Sequence, residues 1–322
     1  MQTRAIGSLA VTELALGCTN FGKRTDERAS AAIVHAALDA GITFFDTADT
    51  YGFTRSEEYL GRALGRRRRD VVIATKFGQA IDGQRQGARP EYVRRAAEDS
   101  LRRLGTDVLD LYQLHLPDPT VPIADTLGAL QDLVGEGKVR EIGCSNFAAA
   151  ELAQAEAAAR ATGRAPARAG AGARPARVAS VQNEYSLLQR EPEGDVFAAC
   201  RRLELAFIPY YPLAAGLLTG KFRRGAPVPA GTRVGSGSAR ERLTAAALDR
   251  VEALVGFAEA RGHTLLELAI SWLLRPGVPV ASVIAGAMSP EQLRANVAAA
   301  GAWRLSESEL AEVDRLAPAE AV

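Results

Sequence analysis

Lysine is nearly absent from this chain. Of 39 cationic residues only Lys23, Lys76, Lys138 and Lys221 are lysine; the rest are arginine. A lysine at the end of an apolar strand is conspicuous in a sequence that otherwise uses arginine. Cysteine is scarce too: Cys18, Cys144 and Cys200 cannot build a full disulfide framework and suit a reducing cytosol. Histidine occurs three times, at His35, His115 and His263. No His/Cys/Asp cluster has metal-ligand spacing, so no metal is expected. An excess of charge is missing, since 39 Lys and Arg against 38 Asp and Glu leave +1. That argues against nucleic acid as a partner, because phosphate binding usually leaves a basic domain. Long apolar runs are missing as well. No stretch approaches the ~18 residues of a membrane span, and Met1-Gln2-Thr3-Arg4 carries no apolar signal core. A Gly-x-Ser-x-Gly elbow with a Ser–His–Asp set is also absent.

What remains is a globular composition, 47% hydrophobic and 24% charged over 322 residues. The expectation is one cytoplasmic domain spanning 1–322. Short apolar runs alternate with longer helical stretches. Leu14–Cys18, Thr43–Asp46, Val71–Thr75, Leu109–Leu114, Val139–Gly143, Val178–Gln182, Ala206–Tyr210 and Val280–Ala285 read as strands buried on both faces, as in a parallel sheet. Helices are expected over Asp26–Ala40, Pro90–Leu104, Pro122–Glu136, Ala148–Arg160, Asp195–Leu203 and Pro290–Ala300. No Gly-x-Gly-x-x-Gly follows the first strand, which disfavours a dinucleotide-binding doubly wound sheet. The expected fold is therefore α/β, a (β/α)8 TIM barrel.

Three pieces exceed the repeat. Residues 2–12 suit a hairpin around Gly7-Ser8. Residues 241–274 hold two helices where one is needed. A last helix over 303–318 opens on Ser306-Glu307-Ser308-Glu309. Ala161–Arg177, an Ala/Arg/Gly/Pro tract, reads as a solvated insertion. Arg223–Arg240, rich in Gly, Pro and Ser, reads as a mobile loop on the functional face. The run Arg66–Arg69, between a helix and the third strand, reads as a solvated turn on the opposite face.

In a barrel, residues just past the strands converge on one face. Asp46 and Tyr51 follow the second strand, Lys76 the third and His115 the fourth. A phenol titrates near ~10, and a neighbouring ammonium lowers that value. The lysine in turn needs a carboxylate, or burial neutralises it. Together these types make a proton donor for a carbonyl, with His115 placed to orient the oxygen. Ser145, Asn146 and Gln182 can bind a planar amide, and Tyr210 can stack on an aromatic ring. Residues Gly216–Lys221 offer backbone amides and a cation for a pyrophosphate. Gln292 and Asn296, four apart on a helix, share one face and could hold an adenine.

These residues resemble the aldo-keto reductase superfamily. The resemblance is carried by Phe44-Phe45-Asp46-Thr47-Ala48-Asp49-Thr50-Tyr51-Gly52, Ala74-Thr75-Lys76-Phe77 and Asp110-Leu111-Tyr112-Gln113-Leu114-His115. It continues through Gly143-Cys144-Ser145-Asn146-Phe147, Val181–Leu188 and Tyr210-Tyr211-Pro212-Leu213 to Gly220-Lys221. It covers about residues 4–318, in the style of the bacterial branches that are also similar to potassium-channel β subunits. It implies a barrel with a hairpin at its bottom and two extra helices, and metal-free, NADPH-dependent reduction of an aldehyde, ketone or sugar carbonyl. In that pattern Tyr51 is the general acid, Lys76 and Asp46 tune it, and His115 orients the carbonyl. Ser145, Asn146 and Gln182 hold the carboxamide, while Tyr210, Tyr211, Pro212 and Leu213 lie along the cofactor. Lys221 and Arg233 correspond to phosphate contacts, and Gly286, Met288, Gln292 and Asn296 to the adenosine end. The chain departs from the pattern at Ile284-Ala285-Gly286, at 287–289, which lack a cation, and at Ala295. NADH is therefore admitted beside NADPH. Two alternatives share the motifs: a nucleotide-sensing partner subunit with weak turnover, and a sugar-nucleotide ketoreductase of a biosynthetic pathway.

Overall fold

A hairpin comes first. β1 (Thr3–Ile6) and β2 (Leu9–Thr12) pair antiparallel around Gly7-Ser8. The computed structural model describes residues 1–162, 177–230, 232–235 and 237–319. The eight strands that follow are β3 (Leu14–Gly17), β4 (Phe44–Asp46), β5 (Val72–Phe77), β6 (Leu109–Leu114), β7 (Val139–Ser145), β8 (Val178–Glu184), β9 (Ala206–Tyr210) and β10 (Val283–Gly286). They form one parallel sheet in the order β10-β3-β4-β5-β6-β7-β8-β9. The ends meet at Phe207, whose N–H donates to Pro279 and whose carbonyl accepts from Ala281. A single bridge, Phe207 to Val280, thus nearly closes the sheet into a barrel.

That closure explains one shifted boundary. The apolar run Val280–Ala285 serves two neighbours. Val280 and Ala281 meet β9, and pairing with β3 begins only at Val283. Other strands run longer than expected at the functional end. β5 reaches Phe77, β7 reaches Ser145 and β8 reaches Glu184, because each has a parallel neighbour that continues the ladder.

Inward side chains fill the barrel. Phe44, Val72, Leu111, Ile208 and Ile284 form an inner cluster, which Ile6, Leu9 and Val11 of the hairpin seal from below. Each such burial contributes about 1.5–3 kcal/mol. Arg4 pins the hairpin by donating to Val280 O and Leu274 O. Outward side chains pack under a ring of helices: α1 (Glu27–Asp39), α2 (Arg55–Leu64), α3 (Pro90–Leu104), α4 (Ile123–Gly135), α5 (Ala149–Thr162), α6 (Asp195–Leu203), α7 (Ala245–Glu259), α8 (Leu265–Leu273) and α9 (Pro290–Ala299). The last helix, α10 (Glu307–Leu316), starts with a capping box between Ser306 and Glu309 and lies against α7 through Arg261.

The arginine run corrects one expectation. Residues Gly65–Asp70 form a 3-10 turn, and Arg66, Arg67 and Arg69 face water. Arg68 does not. Its guanidinium donates to Val71 O, Val108 O and the Asp110 carboxylate at 2.7 Å. Buried Asp110 also takes the Ile73 N–H, so Arg68 locks two strand starts together. Of the tract Ala161–Arg177, residues 163–176 lie outside the described residues.

Candidate active site

The barrel register brings the first group together. Asp46 pairs with Ala74 across β4 and β5. Lys76 lies two residues further along β5, so it shares the inward face with Asp46 while Thr75 points out. Lys76 Nζ donates to both Asp46 oxygens at 2.8 Å, to Thr47 O at 2.8 Å and to Tyr51 Oη at 3.4 Å. It also lies 5.0 Å from the Tyr51 ring centre. Both charged side chains are almost fully buried, so the pair survives only because its hydrogen bonds are complete. Tyr51 sits in a turn closed by its own N–H on Ala48 O. Gly52 follows at φ +59°, where a Cβ would stand 2.3 Å from Phe21 O. Only glycine fits both the conformation and the gap. The His115 ring meets Tyr51 edge-on at 5.9 Å. Asp46, Tyr51, Lys76 and His115 are thus one constellation.

Burial pulls the Lys76 ammonium toward neutrality, but Asp46 and Tyr51 pull harder, and its pKa stands above the ordinary lysine value. Burial, helped by Lys76, pushes His115 down to about 3, which leaves a neutral imidazole. Tyr51 differs from the expectation. Lys76 does lower it, but burial is the larger effect and the net pKa is raised. The phenol therefore keeps its proton at neutrality, as a donor must. Lys76 makes the phenolate less costly without making it the resting form.

A second group lines the next two strands. Ser145 Oγ donates to Gln182 O, and the Asn146 amide donates to His115 O at 2.9 Å and Ser145 Oγ at 3.1 Å. Tyr210 Oη donates to Asn146 Oδ1 at 2.8 Å. Asn146 adopts φ +62°, a left-handed position that asparagine tolerates. Gln182 donates to Asp46 Oδ1 at 2.8 Å, a link between the two groups that sequence reasoning missed. Hydroxyl and carboxamides here match the donors and acceptors of a nicotinamide's carboxamide, and half-buried Tyr210 offers a ring. The donor set fits such a cofactor.

Residues expected at a nucleotide come from distant parts of the chain. Tyr211, Pro212 and Leu213 lead from β9 into a 3-10 segment, Ala214–Thr219, and Lys221 beyond it is exposed. Arg233 donates to Asn20 Oδ1 at 2.8 Å and covers the Tyr211 ring at 5.3 Å. Arg242 covers the same ring at 5.2 Å and forks onto Glu184. Gln292 accepts from the Met288 N–H and Asn296 donates to Gly286 O, so both clasp the loop after β10. Asn20 and Arg242 had no signal in the sequence; an Asn or Arg in a loop carries none until the fold supplies its partner. Among the described residues no group of three His, Cys, Asp or Glu could hold a metal. No described helix is long and apolar enough to cross a membrane.

Comparison with known proteins bears on the whole barrel. The model of the Aldo/keto reductase family matches residues 13–318. The chain is 34% identical over 321 residues to a Glycine max protein named "Probable aldo-keto reductase 1", covering 96% of this chain and 86% of that one. An uncharacterized oxidoreductase of Bacillus subtilis (strain 168) is 35% identical over 304 residues, covering 90% and 88%. Among solved structures, a glycerol dehydrogenase from Gluconobacter oxydans superposes with TM-score 0.82 at 28% identity, covering 100% of this chain and 97% of that one.

Proposed function

The chain belongs to the aldo/keto reductase family, and from that premise we propose that this oxidoreductase reduces an aldehyde, ketone or sugar carbonyl with NADPH, using Tyr51 as the general acid. The observation that carries the reading is the Lys76 ammonium, held by both oxygens of Asp46 and 3.4 Å from Tyr51 Oη. Tyr51 gives its proton to the substrate oxygen. Lys76 stabilises the phenolate that this leaves, and Asp46 keeps Lys76 charged and in place. Neutral His115 donates a hydrogen bond to the same oxygen and fixes its direction.

Ser145, Asn146 and Gln182 hold the carboxamide, and Tyr210 stacks on the ring. Lys221 and Arg233 take phosphate, and Gln292 and Asn296 the adenine. The nicotinamide cofactor, when bound, supplies the hydride. Barrel walls and the hairpin seal exclude water from below, so the Lys76 field acts in a low-dielectric setting. A relative described as a glycerol dehydrogenase supports small hydroxylated carbonyl compounds as one substrate class to include.

NADPH oxidation measured against a panel of aldehydes, ketones and sugars tests the reading. Turnover that vanishes in Tyr51→Phe is expected. Tight NADPH binding with no turnover on any carbonyl would instead favour a nucleotide-sensing subunit.

A further inference from the structure

Behind the constellation, on the outer side of β5, lies a second buried ionic cluster. Asp49, in the loop from β4 to α2, is 1% exposed. Glu57 of α2 is fully buried and accepts from Thr75 Oγ1 at 2.5 Å and from Arg103 Nε of α3 at 2.6 Å. Neither oxygen of Asp49 completes a hydrogen bond among the described residues, although the Thr50 amide leans on it. The titratable groups that face Asp49 are Glu57 on α2, Arg103 and Tyr92 on α3, Lys76 on β5 and Tyr112 on β6. Its two cations are already taken, Arg103 by Glu57 and Lys76 by Asp46. Among the described residues Asp49 is the carboxyl of this cluster that no cation hydrogen-bonds, although Arg103 and Lys76 act on it from a distance. A buried charge without a partner is costly, so the group keeps a proton instead.

Its placement ties it to the reaction. The Asp49 N–H donates to Lys76 O at 3.0 Å, and the next turn carries Tyr51. We propose that Asp49 is a positioning residue of this site: a carboxyl that stays protonated through turnover and whose ionisation, acting through Lys76, weakens Tyr51 as an acid. The proposal rests on the reading of Tyr51 as the proton donor. A negative charge on Asp49 opposes the Lys76 field and disfavours the Tyr51 phenolate. Burial, with Glu57 adding to it, brings Asp49 to about 8. The switch therefore falls just above neutrality.

Asp49→Asn, which keeps the neutral shape at every pH, tests this in two ways. In wild type, kcat for carbonyl reduction should step down about threefold across pH 7 to 9, the response to a change of about one unit in the acid's pKa. In Asp49→Asn that step should disappear, leaving only the fall at higher pH where Tyr51 itself ionises. A step unchanged in the variant overturns the proposal. The second measurement needs no turnover. Tyr51 ionisation is read from the ultraviolet phenolate band as wild type minus Tyr51→Phe, and again in the Asp49→Asn background. Tyr51 should titrate about one unit lower in that background; an equal or higher value overturns the proposal. If wild type reduces no carbonyl, the functional reading has failed, and the phenolate titration alone decides the coupling.

Discussion

Tyr51 and Lys76 are separated by 3.4 Å and by 25 positions of sequence, and the chemistry proposed here depends on that distance. Tyr51→Phe removes the phenol hydroxyl, the proposed proton donor and the acceptor of the long Lys76 hydrogen bond, and keeps the ring. A loss of about 10²–10⁴ in kcat is expected, with NADPH affinity unchanged by fluorescence titration. More than about a tenth of wild-type kcat, where chemistry limits, would remove Tyr51 from its role. Lys76→Arg is more discriminating because the charge is kept. The ammonium reaches Asp46, Thr47 O and Tyr51 from one point. A planar guanidinium takes a carboxylate bidentately and should push the Tyr51 oxygen away; about 1 Å of displacement can cost ~10²-fold. The variant should melt near wild type and fail in turnover. Wild-type rates would mean that Lys76 supplies only generic charge.

Elements set where these residues stand, and two of them offer tests. Gly61 lies inside α2, where a Cβ would meet the Leu104 backbone of α3 at 2.6 Å. Alanine has the better helix propensity, but backbone cannot yield as a flexible side chain does. Gly61→Ala should therefore destabilise by about 1–3 kcal/mol, read by urea unfolding; a neutral or stabilising result would show that α2 slides freely over α3. The loop entering α2 gives a pH test of folding. Burial, then Glu57, raises Asp49 in the folded state, from an ordinary value near 4 to about 8. The neutral acid is favoured by folding. Its contribution is full below pH 4 and is lost as pH rises through about 8. The Tm of Asp49→Asn should gain on that of wild type between pH 5 and 9. A constant gap would show that Asp49 does not change protonation in the fold.

At the scale of the whole molecule, the groups proposed to hold the nucleotide stand far apart in sequence: Arg233 follows β9 and is held by Asn20 near the start, and Asn296 lies on α9. On that proposal, cofactor choice would be a property of the assembled barrel. In the proposed reading Lys221 and Arg233 take the added phosphate, while 287–289 supply no cation. NADPH should be preferred over NADH in kcat/KM, and Arg233→Ala should raise KM for NADPH more than for NADH. Equal kcat/KM for both cofactors in wild type would contradict this.

The strand ends were legible in sequence because a parallel strand buried on both faces is a short apolar run, and the polar residue that ends it stands out. Asp46, Lys76, His115, Ser145 and Gln182 were readable in that way, and the scarcity of lysine marked Lys76. Caps such as Ser306 with Glu309 were equally local. Only the tertiary structure decided what depends on distance and burial. It set Tyr51 above its ordinary pKa despite Lys76, because desolvation cannot be read from spacing. It turned Arg68 from a solvated turn residue into a strap on Asp110. And it left Asp49, two residues before Tyr51, with no hydrogen-bonded cation among the described residues, because Arg103 comes from another helix and already belongs to Glu57.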